Sequence, residues 1–114
     1  MAHIDLRNHD TVLVATLSGE LTLDNLAQIR SELEVILNRQ GVEDIVFDLA
    51  GITFLDSSGL GVLVSASTRA RASGRRILLY RPSREVTRLL EAAQLTGLFP
   101  LLADEEDLLA LLPD

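Results

Sequence analysis

Apolar residues recur along the chain in two patterns, one typical of strands and one typical of helices. Five segments have the length and apolar content of strands, at about residues 3–7, 11–18, 43–50, 76–81 and 98–102. The turn residues Asn8-His9-Asp10 connect the first two segments, which predicts a β-hairpin. Pro100 makes the last segment a weak edge strand at best. The pattern therefore predicts four or five strands.

Four other segments have the apolar spacing of amphipathic helices, at about residues 22–39, 57–73, 83–93 and 104–112. The first of them follows Gly19, which we expect to end the preceding strand. Thr22 is the predicted N-cap of that helix. Gly41 and Gly74 follow the ends of the first two helices, where glycine is a common stop signal.

The element order β-β-α-β-α-β-α-(β)-α predicts an α/β fold. We expect a mixed sheet of four or five strands with a parallel centre, covered by about four helices. Strand–helix–strand connections make the second, third and fourth strands parallel. The loops that follow these strands, at about residues 19–24, 51–58 and 81–84, should then lie at one edge of the sheet. Open α/β sheets usually carry their functional site there.

The loop before the second helix contains two adjacent serines. Asp56 precedes them and can cap the helix by accepting a hydrogen bond from a first-turn N–H group. Ser57 and Ser58 would lie in the first turn, beside unpaired amides and the positive end of the helix dipole. Gly59 and Gly61 each cost about 1 kcal/mol in a helix relative to alanine. Two such glycines suggest that something approaches this backbone closely.

The composition limits the classes of function. The chain has 114 residues, 47% of them hydrophobic, and we expect residues 1–114 to form a single folded domain. There is no Cys, which excludes disulfides and thiolate metal sites. We find neither a signal peptide pattern nor an apolar run of membrane-span length, so we expect a cytoplasmic protein without membrane insertion. The net charge of −7 disfavours direct binding to nucleic acid.

At Asp56-Ser57-Ser58-Gly59-Leu60-Gly61-Val62-Leu63 the sequence resembles the anti-sigma factor antagonists, bacterial proteins that consist of a single STAS domain. The segment Leu17-Ser18-Gly19-Glu20-Leu21 matches the Gly-Glu-Leu segment of that family at the end of the second strand. Ile45-Val46-Phe47-Asp48-Leu49 and Phe54-Leu55 match its third strand. The order of elements also agrees to the C-terminus, so the resemblance covers essentially the whole chain and implies a STAS-like sheet.

The resemblance implies a phosphorylation switch that regulates transcription. In this family the second serine of the pair, here Ser58, is phosphorylated by a partner that is both a serine kinase and an anti-sigma factor. The unphosphorylated protein binds that partner and frees a sigma factor, the phosphorylated protein releases it, and a phosphatase resets the cycle. The expected partner-binding residues are those of the rim and first turn: Thr22, Asp24, Asp56, Ser57, Ser58, Gly59, Leu60 and Gly61.

One position departs from the family pattern. Many members carry Asp directly after Gly-Glu-Leu, where this chain has Thr22. Asp24 lies two residues further on and is a candidate substitute. Whether Thr22 alters phosphorylation stays open, as does contact of the partner with Arg81 and Arg84, which we expect at the same edge of the sheet.

The residues argue against an enzyme. The only histidines, His3 and His9, lie on the first hairpin, away from the serines that would need a base. There is no Gly-x-Ser-x-Gly elbow around Ser58 and no phosphate loop at Gly59-Leu60-Gly61. We expect no catalytic residues, no cofactor and no metal.

Each residue also has a purely structural explanation. Ser58 would be a solvated first-turn residue, Ser57 would support the turn, and Leu60 would belong to the core. Under that view the alternative function is a non-switching STAS subunit of a lipid-transport or stress-signalling complex. Binding of a nucleotide or other small ligand at the rim is a third possibility, without a phosphate-cradling motif behind it.

Overall fold

The computed structural model describes residues 3–113, so residues 1, 2 and 114 of the predicted 1–114 domain lie outside the described part of the chain. The strands are β1 (His3–His9), β2 (Val12–Leu21), β3 (Asp44–Leu55), β4 (Arg76–Tyr80) and β5 (Leu101–Leu102). The helices are α1 (Leu26–Leu37), α2 (Ser57–Ala72), α3 (Arg84–Ala92) and α4 (Glu105–Leu111), with 3-10 turns at Leu23–Asn25 and Thr96–Leu98. The predicted α/β fold is confirmed.

The strands lie in the sheet in the same order as in the chain, β1-β2-β3-β4-β5. β1 pairs antiparallel with β2 as the predicted hairpin, and the pairs β2–β3, β3–β4 and β4–β5 are parallel. Because β2, β3 and β4 run in one direction, the loops after them lie at one edge of the sheet. The predicted position of the serine-bearing loop at that edge is confirmed.

Alternation along the strands divides the core into two layers. In β3, Ile45, Phe47 and Leu49 point to the face covered by α1, α2 and α3, where the main core lies. Val46 lies on the opposite face, in a smaller cluster to which α4 contributes Leu108 and Leu111. Both faces of the parallel centre are therefore covered, which explains why these strands read as continuous apolar runs.

The sequence predicts that Gly19 ends β2, and this prediction is wrong. The strand continues to Leu21, and Gly19 has φ +90°, a conformation that favours glycine. The pairing with β3 shifts register between Thr16 and Ser18 and again between Gly19 and Glu20. The glycine therefore permits an irregularity that bends the strand without terminating it. As a result β2 and β3 both extend further than predicted, and β3 reaches Leu55.

The first helix begins later than predicted. Thr22 caps a 3-10 turn at Leu23–Asn25, and α1 starts at Leu26 with Asn25 as its own N-cap. The main chain thus makes one tight turn directly beside the end of β2. The predicted starts of α3 and α4 are confirmed, and the side chains of Ser83 and Asp104 accept hydrogen bonds there as N-caps.

Candidate functional site: the serine rim

The ends of β2 and β3 and the start of α2 form one surface, which we call the serine rim and define as residues 21–25 and 54–61. Asp56 holds its two segments together. One carboxylate oxygen, Oδ1, accepts from the Gly59 N–H at 2.8 Å, which confirms the predicted N-cap of α2. The other, Oδ2, accepts from the Leu23 N–H at 3.2 Å, across to the turn after β2. The Asp56 N–H donates to the Leu21 carbonyl oxygen at 3.2 Å.

The two serines occupy the first two positions of α2. Ser57 is exposed and Ser58 is half-buried. Asp56 occupies the N–H of Gly59, and the Leu60 N–H donates to the Asp56 carbonyl oxygen at 3.0 Å. The N–H groups of Ser57 and Ser58 are the first two of the helix and have no i−4 partner within it. The two hydroxyls therefore lie beside free amides at the positive end of a 16-residue helix.

Gly59 is required by this chain's own packing. It is buried, and a Cβ placed on it would lie 2.3 Å from the carbonyl oxygen of Leu21 and 2.8 Å from the Leu21 Cβ. The close approach inferred from this glycine is therefore made by the end of β2. The glycine lets the first turn of α2 lie directly against the neighbouring strand.

Leu60 and Gly61 differ in exposure. Leu60 is 8% exposed and belongs to the main core, which agrees with its structural explanation. Gly61 is exposed, and a Cβ placed on it would meet nothing within 4 Å. Of the two glycines in the first turns of α2, only Gly61 leaves its backbone open to another molecule.

Thr22 and Asp24 lie on the same rim, next to Asp56. The Thr22 N–H donates to Asn25 Oδ1 at 3.0 Å, and Asn25 Nδ2 donates to the Glu20 carbonyl oxygen at 2.6 Å. These bonds fix the turn that carries Asp24, whose side chain is exposed. The structure thus brings all eight predicted residues, from positions 22–24 and 56–61, into one rim, six of them at least partly exposed.

Two exposed residues of the rim are not among those predicted from the sequence. Leu23 is 69% exposed and Phe54 is 46% exposed, and they belong to the two segments that Asp56 connects. Both are large apolar side chains that the fold leaves exposed at this edge of the sheet. The sequence places both residues in the loops at 19–24 and 51–58, and nothing in its pattern distinguishes them there.

Arg81 follows β4 at the same edge of the sheet but is engaged within the chain. Its guanidinium donates to Asp48 at 2.7 Å and 3.3 Å and stacks on the Tyr80 ring, with 4.8 Å to the centroid. The hydrogen bond to Asp48 raises the pKa of Arg81. Asp48 is 6% exposed, so this pair compensates a carboxylate that would otherwise be buried alone. Arg84, at the start of α3, remains exposed.

Among residues 3–113 no three His, Asp or Glu side chains are grouped closely enough to hold a metal. Within the same residues no helix has both the length and the apolar character needed to cross a membrane.

Comparison with known proteins identifies the family. The model of the STAS domain matches residues 3–108, so the chain belongs to the STAS domain family. It is 30% identical over 102 residues to the anti-sigma F factor antagonist of Paenibacillus polymyxa, covering 90% of this chain and 87% of that protein. It is 25% identical over 100 residues to the anti-sigma-B factor antagonist of Staphylococcus epidermidis, covering 88% and 89%. The resemblance to anti-sigma factor antagonists is confirmed.

Solved structures show the same fold. The unphosphorylated form of the anti-sigma factor antagonist SpoIIAA superposes with a TM-score of 0.75 at 24% identity, covering 93% of each chain. An anti-sigma factor antagonist from Mycobacterium paratuberculosis gives a TM-score of 0.84 at 21% identity, covering 100% of this chain and 96% of the other. At these identities the agreement concerns the fold alone, which is the predicted STAS-like mixed sheet.

Proposed function

We propose that this protein is an anti-sigma factor antagonist switched by phosphorylation of Ser58. In the unphosphorylated state its serine rim binds an anti-sigma factor that is also a serine kinase, and a sigma factor is released. Phosphorylation of Ser58 by that partner ends the complex, and a phosphatase restores it. The protein acts by binding and is the substrate of the kinase, without catalytic activity of its own.

The observation that carries the proposal is the position of the serine pair. Ser57 and Ser58 lie in the first turn of α2, on a rim with exposed apolar side chains, in a chain whose relatives are anti-sigma factor antagonists. The rim is rigidly built, because Asp56 bonds to both segments. A rigid, exposed site of this kind suits a surface that the same partner must both bind in a stable complex and phosphorylate.

The physical effect of the phosphate differs between the host fold and the complex. A phosphate carries a charge of about −1.5 to −2 and strong acceptor oxygens. At Ser58 it would meet the free amides and positive dipole end of α2, which favour anions, so the fold should tolerate it. None of the arginines of residues 3–113 bonds to a rim residue, so no guanidinium held on the rim would neutralise the charge of the phosphate. A partner packed on the rim would have to bury this charge, which is costly.

The apolar side chains on the rim suggest where the partner gains affinity. Leu23 and Phe54 project from the two segments around the serines, and Gly61 leaves open backbone beside them. Interfaces draw most of their binding energy from a few large side chains at the centre. We therefore assign Leu23 and Phe54 as anchors, with Thr22, Asp24, Ser57 and Gly61 as surrounding contacts. Asp56, Gly59 and Leu60 hold the surface in place through the hydrogen bonds of Asp56 and the buried packing of Gly59 and Leu60.

The first test is intact-mass and site-mapping mass spectrometry of the protein purified from its native host. The proposal expects a phosphate on Ser58 in a fraction of the molecules. A phosphate on Ser57 or Thr22 would retain a switch but refute the assignment to Ser58. Absence of phosphate from Ser58 under both growth and stress conditions would favour the non-switching STAS subunit.

Binding to the captured kinase then separates the switch from simple surface damage. The Ser58→Glu variant should lose the partner, whereas Ser57→Glu, with the same charge at the neighbouring exposed position, should retain more of it. In vitro, the partner and ATP should phosphorylate wild type and Ser57→Ala but not Ser58→Ala. Equal partner binding by Ser58→Glu and wild type would contradict the switch.

Isothermal titration with nucleotides in the absence of partner tests small-ligand binding at the rim directly.

A further inference from the structure

The outer edge of β1, on the side of this strand that faces away from β2, offers a second interaction surface. β1 lies at the end of the sheet and pairs with β2 on one side only. No strand among residues 3–113 pairs with its other side. Alternate residues of this seven-residue strand therefore direct their N–H and C=O groups away from β2, toward the open side. Such an edge is a template for pairing with another strand.

The charges on this edge are arranged in a self-complementary way. Asp5 and Arg7 are both exposed and, two residues apart in a strand, project from the same face. Within residues 3–113 neither side chain forms an ion pair. Leu6, between them, projects from the opposite face and packs against the main core.

We propose that β1 pairs antiparallel with β1 of a second copy of this chain, with Leu6 opposite Leu6 of the second copy. In this register Asp5 lies opposite Arg7 of the second copy, and the same contact is repeated by symmetry. A shift that centres the pair on Asp5 or on Arg7 would place like charges directly opposite each other, which is destabilising. A shift by one residue would exchange the two faces of the strand. The charges therefore select one register.

The apolar face of the edge supports the same occupant. A groove of about 160 Å³ lies between β1 and α1, lined by Ile4, Leu6, Glu32, Val35 and Ile36. Val35 is 65% exposed although α1 packs on the sheet with its other side. In the proposed register the Leu6 side chains of the two copies meet beside this groove. The pairing thus covers apolar surface as well as joining two sheets into one of ten strands.

The geometry leaves the serine rims free. Because the two β1 strands are antiparallel, the parallel strands of one copy run opposite to those of the other. The two serine rims then lie at opposite ends of the joined sheet. One pair of chains could therefore bind two partners, and the state of Ser58 should not alter the pairing.

The test is sedimentation velocity over a concentration series with charge-reversed variants. Wild type should show reversible association of two chains. Asp5→Arg alone and Arg7→Asp alone should each weaken it about fivefold or more, since each introduces two like-charge pairs. An equimolar mixture of the two variants should associate again, because positions 5 and 7 then carry opposite charges across the interface. Glu91→Arg and Arg88→Asp, which make the same changes in net charge on α3, should leave association unchanged.

The mixture makes the test independent of folding. A variant that failed to fold could not regain association when mixed with the other. A wild-type chain that stays monomeric throughout the series would overturn the proposal. So would association that survives both single reversals, or a mixture that remains as dissociated as its components.

Discussion

The two glycines of the Ser-Ser-Gly-Leu-Gly segment should respond in opposite ways to replacement by alanine. In Gly59→Ala the new Cβ would lie 2.3 Å from the Leu21 carbonyl oxygen and 2.8 Å from its Cβ. In Gly61→Ala the new Cβ would meet nothing within 4 Å. Both positions are in the first turns of α2, and neither has positive φ. The pair therefore isolates the effect of tertiary packing from helix propensity.

The expected magnitudes follow from these distances. Relief of the contact at Gly59 requires the start of α2 and the end of β2 to separate by roughly 1 Å, since apolar contacts normally lie beyond about 3.5 Å. The Asp56 N–H donates to the same carbonyl oxygen, so that hydrogen bond is strained as well. We expect Gly59→Ala to lower the free energy of unfolding by about 1–3 kcal/mol. We expect Gly61→Ala to raise it by about 0.5–1 kcal/mol, the usual gain of alanine over glycine in a helix.

Urea unfolding monitored by circular dichroism would measure both changes, with the m-value checked for each variant. Thermal midpoints should move in the same directions, by several degrees for each kcal/mol. A Gly59→Ala variant as stable as wild type would show that the rim is not packed as described. Destabilisation by Gly61→Ala would refute the open space above α2.

Three further perturbations test the contacts around the rim and between the helices. Asp56→Ala, which loses both bonds to the rim, should cost about 1–2 kcal/mol of stability in urea unfolding, and Asp56→Asn less, because Asn retains the cap. Arg81→Ala should cost about 1–2 kcal/mol, since it leaves the buried Asp48 carboxylate without its counter-charge while the guanidinium side chain is itself 52% exposed. The hydrogen bond from Arg69 lowers the pKa of Glu34, so this pair stabilises the fold above the ordinary carboxylate pKa of 4.5 and the contribution is lost as the pH falls through the folded-state value. Thermal midpoints of Glu34→Gln and wild type should therefore differ slightly at pH 7 and converge in acid; a constant difference would contradict the linkage.

The sequence predicted the strands of the sheet and the parallel direction of β2, β3 and β4, because the relevant signals are local. Each of the parallel strands β2, β3 and β4 is a near-continuous apolar run, and the connections between them contain helices, which leaves few topologies. The position of Asp56 as the N-cap of α2 follows from short-range hydrogen bonding alone. These predictions needed no knowledge of tertiary contacts.

The errors came from contacts between segments distant in the chain. Gly19 is a strong local break signal, yet pairing with β3 extends β2 beyond it to Leu21. The role of Gly59 depends on the carbonyl oxygen of Leu21, 38 positions earlier, and no spacing within the motif indicates that contact. The exposure of Leu23 and Phe54 likewise depends on where the strands end. Sequence patterns placed these residues at one edge of the sheet but could not say which of them are buried and which face outward.

Asp56 fixes the rim without using either serine hydroxyl. Its two carboxylate oxygens are used by Gly59 and Leu23, so the first turn of α2 is fixed without any contribution from the serine hydroxyls. A group added to Ser58 would therefore break none of the bonds that hold the rim. The fixed negative charge of Asp56 beside the serine also means that a phosphate there increases an existing negative potential. If Ser58 is the switch, phosphorylation should change what can bind the rim while the stability of the fold changes little.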